Sequence, residues 1–166
     1  MRMTRSRRDS AFGRAAAPEG STPVTQAGAS PRLGDLSLGG RIVLAAARRW
    51  SHGAAALSPC LIFQGAGVRH PAFAAFVGLL ALLDTAGPCA PLFLDPGEDA
   101  LSEGERRLIE ALAALQQGEP WRSQRIIAGW LPPVAAPRAV ALLAMTAAGL
   151  AQAGLRVAER RPPTMH

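Results

Sequence analysis

Cys60, Cys89, His52 and His70 are the side chains whose types could do chemistry together. Two thiols and two imidazoles are the donors a zinc site uses, and a thiolate beside an imidazole is the pairing behind nucleophilic catalysis. Their spacing supports neither. No pair stands as Cys-x-x-Cys or His-x-x-x-His, so four separate segments would have to converge. The plain expectation is two packed thiols, two ordinary histidines, no cofactor, no metal and no disulfide. Gly65-Ala66-Gly67 lacks the further glycine, the lysine and the preceding strand that a phosphate loop needs. The carboxylates are scattered at caps and loops, where Asp95, Glu98, Asp99, Glu103 and Glu105 favour a helix N-terminus electrostatically. They read as structural, and the chain is not expected to be an enzyme.

A second set points elsewhere. Trp121-Arg122-Ser123-Gln124-Arg125 opens a short helix after a turn. Arg122 and Arg125 are neighbours on one helix face, and Gln124 is of a type that reads base edges. Arg48-Arg49 and the basic termini could hold phosphates. This makes DNA binding through the 121–131 helix the alternative reading. Against it stand Trp121, Ile126, Ile127 and Trp130, which give that helix an apolar content expected to be buried.

Charge placement bears on the same question. The chain carries a formal charge of +6, with arginine as its only strong base. Residues 1–31 hold five arginines against Asp9 and Glu19, and residues 156–166 hold three against Glu159. The stretch between, 32–155, is nearly neutral, with ten arginines against nine acids. The high basicity belongs to the ends, which weakens an inference to nucleic acid for the middle. Residues 1–31, rich in Gly, Pro, Ser, Thr and charge without an apolar period, are expected to form a disordered basic arm. Ser6-Arg7-Arg8-Asp9-Ser10-Ala11-Phe12 is a faint twin-arginine pattern, but no apolar stretch follows it, so a cytoplasmic protein is expected. Residues 159–166 are expected to fray.

The elements that must position these side chains follow from periodicity and caps. Residues 71–86 are apolar on every side of a helix, from Phe73, Phe76 and Val77 through Leu79, Leu80, Leu82 and Leu83. That run is too short to span a bilayer, so it is expected to be a central helix buried all round. Residues 40–53 predict a first helix, with Val43, Ala46, Ala47 and Trp50 inward and Arg41, Arg48 and His52 on one outer face. A short helix over 59–64 is expected behind Ser58-Pro59. Ser102 and Glu105 form a capping box before the stripe Leu108, Ile109, Leu112 and Leu115, with Glu103 placed to pair with Arg107. Within that box Ser102 is expected to matter more than Glu105. Helices over 121–131 and 137–153 complete the set, the last stopped by Gly154 with Leu155 as the accompanying apolar contact. Residues 89–95 read as extended and are expected to pair weakly with 155–158. The sum is an all-α single domain over 32–158, a bundle of about six helices.

The run Arg41-Ile42-Val43-Leu44-Ala45-Ala46-Ala47-Arg48-Arg49, then His52-Gly53, resembles the opening of a small uncharacterised family of helical proteins found mainly in alphaproteobacteria. The basic-Pro step Val68-Arg69-His70-Pro71 into an apolar helix, and the capped helix over 101–117, match the family's layout across roughly residues 40–155. The resemblance implies the helical fold and carries no activity and no site. What is expected of function is therefore a non-catalytic helical module that binds another protein or its own copy, with no membrane segment.

Overall fold

The computed structural model describes residues 31–53, 57–87 and 89–158. The expected arm over 1–31 and tail over 159–166 lie outside the described residues, apart from Pro31. Six α-helices follow one another: α1 Leu38–Ser51, α2 Leu57–Gly65, α3 His70–Ala86, α4 Glu103–Gln116, α5 Pro120–Ala128 and α6 Ala136–Gln152. The all-α single-domain bundle is thus the observed fold.

The helix ends follow local chemistry. Ser37 caps α1, its hydroxyl accepting from the Gly40 amide. Gly53, Gly67, Gly118 and Gly154 have positive φ just past the ends of α1, α2, α4 and α6, a region open to glycine at little steric cost. At Gly154 the Leu155 amide reaches back to the Leu150 carbonyl at 2.9 Å and Leu155 is buried, the full glycine-stop arrangement. Proline stands in the first turn of α3, α5 and α6, where its missing N–H is no loss.

Three expectations need correction. The helix at the centre is α6, which packs on α3, α4 and α5; α3 lies mainly along α6 and touches α2. Only one side of α3 is fully buried, through Ala72, Ala75, Phe76, Leu79, Leu80 and Leu83, while Phe73, Val77 and Leu82 are half-buried and Ala74 is exposed. The small residues of α6 explain the choice. A methyl group at Gly149 would overlap the Ala72 side chain, so the two helices touch there almost backbone to backbone. The second correction is that residues 89–95 do not pair with 155–158. An isolated antiparallel bridge joins Arg32 and Ala100 instead. The 156–158 backbone is held by Ser37 and Gln116: Ser37 Oγ donates to the Arg156 carbonyl at 2.6 Å, the Ser37 amide donates to the Ala158 carbonyl at 2.9 Å, and the Val157 amide donates to Gln116 Oε1 at 2.9 Å. Third, α2 begins two residues before the expected start.

The core joins Leu44 and Val43 of α1, Phe63 of α2, Phe76 and Leu79 of α3, Leu108 and Leu112 of α4, Ile127 of α5 and Leu143 and Leu150 of α6. Each such side chain contributes about 1.5–3 kcal/mol by leaving water. Phe63 stacks on Phe76 at 5.2 Å and tilts against Phe73 at 5.9 Å, which docks α2 on α3.

Candidate functional site

Two places in the molecule concentrate unusual features: a polar clasp where α1 meets α4, and the outer side of the α3–α6 pair.

The clasp is built on Arg48. It was expected on an outer face, yet it is 1% exposed. The reason lies in what packs over it. Its guanidinium has five N–H groups, and five hydrogen bonds leave it. Nε and Nη2 donate to the two oxygens of Glu105, at 2.6 and 2.9 Å. Nη1 donates to the carbonyls of Asp95 and Glu98, and Nη2 to that of Ala100. Glu105, 0% exposed, is equally saturated. Its oxygens also accept from the amides of Leu94, at 3.0 Å, and Ser102, at 2.9 Å. The last of these is one half of the capping box; the other half is the Glu105 amide donating to Ser102 Oγ at 3.0 Å. The box is therefore real, but its carboxylate does more than cap a helix. It neutralises a buried arginine that gathers the whole 95–100 segment. Because no donor or acceptor of the pair is left over, the clasp has nothing to offer a substrate, and it is structural. Beside it His52 spans Asp95 Oδ1, 2.7 Å from Nε2, and the Arg48 carbonyl, 2.8 Å from Nδ1.

The candidate chemistry does not assemble. Among the described residues no group of three or more His, Cys, Asp or Glu is placed to hold a metal. His52 is committed as above, His70 lies edge-on to Phe73, and Cys60 and Cys89 are both free thiols, the first half-buried and the second exposed.

The α5 set is placed as follows. Arg122 donates to Glu110 through Nε and Nη2, at 3.0 and 2.8 Å, and sits 3.5 Å from Glu119. The hydrogen bonds it donates to Glu110 hold its guanidinium more firmly protonated than usual. Arg125 lies over the ring of Trp121, 5.1 Å from its centre, and Gln124 is exposed. Trp121 is exposed, against expectation, while Ile127 and Trp130 are buried. Over residues 103–128, the two helices and the turn between them, four arginines meet four glutamates, so this hairpin carries no net charge. Arg106, Glu110, Gln117 and Arg122 edge a cleft of about 410 Å³ floored by Ile109, Ala113 and Ala114. At the start of α4 Glu103 pairs with Arg107 at 2.8 Å, as its spacing predicts, and with Arg106. Hydrogen bonds from those two arginines, Arg106 first, hold its carboxyl below the usual carboxylate range.

The outer side of the α3–α6 pair is different in kind. Ala74, Gly78 and Ala81 recur at helical spacing on α3; Ala141, Met145 and Ala148 do so on α6. Ala74, Ala141, Met145 and Ala148 are exposed, and Met145 is the largest of them at 52%. Gly78 borders Leu142 across the helix pair. No charged residue occurs between His70 and Asp84 on α3 or between Arg138 and the end of α6. Reading α3 as buried all round missed this surface; the signal available in the sequence was a glycine in mid-helix. No helix of the described residues is long and apolar enough to cross a membrane. Comparison with known proteins finds no matching family model, no matching curated protein and no matching solved structure.

Proposed function

We propose that the protein is a non-catalytic helical interaction module of the bacterial cytoplasm, and that the outer face of the α3–α6 pair is the surface it offers to another protein. One observation carries this reading: two adjacent helices, each of 17 residues, show solvent an uncharged face with a methionine at its middle. Apolar surface of this extent on a small domain is what a partner helix covers. The saturated clasp and the scattered thiols and imidazoles support the absence of catalysis in this proposal. A photoreactive amino acid at position 145 should give a discrete protein adduct in cells, whereas one at Gln124 should not. Capture should persist to about 0.3 M salt, because apolar contact is not screened.

A second reading is kept because α5 follows a three-residue turn and exposes Trp121, Gln124 and Arg125. On that reading the helix, with the basic ends, touches DNA. It predicts adducts to nucleic acid at position 124 and none at 145, with affinity falling steeply as salt rises. The neutral α4–α5 hairpin and the Arg122–Glu110 pair favour the first reading.

A further inference from the structure

We propose that α5 is a lid: it unfastens from α4 and α6 as one unit, between Gly118 and Gly129, while the other helices stay packed. The lid is separate from the α3–α6 face and stands or falls without it.

α5 is held by little. Its nine residues include two that are fully buried, Ser123 and Ile127. α3 and α6 also begin with proline and without a capping side chain, but they have 17 residues each and bury six and seven. Burial is what keeps so short a helix in place, because nine residues away from their neighbours do not hold their own hydrogen bonds. Of the two buried residues, only Ile127 contributes apolar area. Ser123 opposes closure. Its hydroxyl is buried without a hydrogen-bond partner, so docking α5 takes that group from water with no replacement. Opening α5 hydrates it again.

The polar fastening is equally slight. Arg122 bonds to Glu110 across the α4–α5 seam, and the two side chains are 44% and 39% exposed. A pair so open to water holds weakly. Beside it the seam is unfilled. The cleft of about 410 Å³ is floored by Ile109, Ala113 and Ala114, a part of α4 that α5 leaves uncovered.

The ends of α5 suit a hinge. Gly118, at φ +80°, precedes it and Gly129 follows it, and glycine absorbs backbone rotation that other residues resist. Outside these two points the chain is anchored. Before Gly118, the Gln116 side chain is bonded to the Leu155 carbonyl and the Val157 amide. After Gly129, Trp130 and Leu131 are buried in the core. Movement between two anchors is that of a lid and not of a fraying end. Once open, it adds the seats of Ser123 and Ile127 to the existing cleft, and an apolar groove appears where α5 had packed on α4 and α6.

Native-state hydrogen exchange of the full chain, resolved by residue with NMR, tests this. The amides of Gln124 to Ala128 should exchange through an opening about tenfold or more populated than the one that exposes the amides of α4 and α6. Ser123→Ala should slow exchange in α5 by about fivefold, and Arg122→Gln should speed it by about twofold. Ala141→Gln, on the outside of α6, should leave it unchanged. If the α5 amides exchange together with those of α4 and α6, through one common opening, the proposal is overturned. Fast exchange in α5 that neither Ser123→Ala nor Arg122→Gln alters overturns it too, because that would be fraying and not release from α4.

Discussion

The clasp around Arg48 and the face over Gly78 are opposite solutions to the same constraint, that a helix surface must be covered by something. At the clasp the covering is the chain's own loop. The segment 95–100 lies outside the helices, and one buried arginine takes three of its carbonyls while Glu105 balances the charge. At the α3–α6 face Ala74, Ala141, Met145 and Ala148 stay exposed, and the residues are uncharged and mostly small. A polar solution is specific and brittle, because each group depends on all the others. An apolar solution is tolerant, because a lost methyl group leaves no unpaired charge. The difference teaches where change will be felt: strongly in stability at the clasp, and in association rather than stability at the face.

Breaking the clasp should have the largest effect. Arg48→Met leaves Glu105 buried without its partner and takes the donor from the Glu98 and Ala100 carbonyls, and should cost about 3–5 kcal/mol by urea denaturation. Glu105→Gln should be comparable, and the double variant should cost clearly less than both together. A cost below about 1 kcal/mol for Arg48→Met would mean that the loop is held by something else.

Ser102→Ala removes the other half of the capping box and should cost about 1 kcal/mol. The structure reverses the order expected from the box alone, in which Glu105 was the lesser partner. Glu105→Ala should now exceed Ser102→Ala, and equal costs would return Glu105 to the role of a simple cap. Ser123 sharpens the comparison from the opposite side. Its hydroxyl is the buried side-chain polar atom without a hydrogen-bond partner among the described residues. Ser123→Ala should therefore stabilise the fold by about 1 kcal/mol, measured in the same denaturation series.

On the apolar face, Ala141→Gln should change stability by less than about 0.5 kcal/mol, because position 141 is exposed and glutamine is a good helix former. A larger loss would show that the face is covered from within the chain. The smallest effect belongs to Glu103. Its carboxyl is held low by Arg106 and Arg107, so its contribution to stability is present above the ordinary carboxylate range. That contribution is lost as pH falls through the lowered value. Carboxyl chemical shifts followed by NMR should place its titration below the usual carboxylate range. Exposure and salt keep the energy slight.

The sequence by itself determined the helices and most of their ends. Ser102 followed by Glu105, proline in the first turns, and Gly154 with Leu155 are local signals whose physics is complete within a few residues. The Glu103–Arg107 pair was legible for the same reason, since one turn of helix brings the two together. What lay beyond reach were contacts between segments far apart in the chain. Periodicity within α1 set Arg48 beside Arg41 and His52 on an outer face; only the packing of α4 and the 95–100 loop made that side an interior. The composition of α3 called for burial all round, but burial depends on how many neighbours arrive. The small residues of α6 drew α6 against one side of α3 and left the outer side open. Local chemistry chose the elements. Which of their surfaces became core, clasp or open face was decided by tertiary packing, because burial belongs to pairs of segments and not to any one of them.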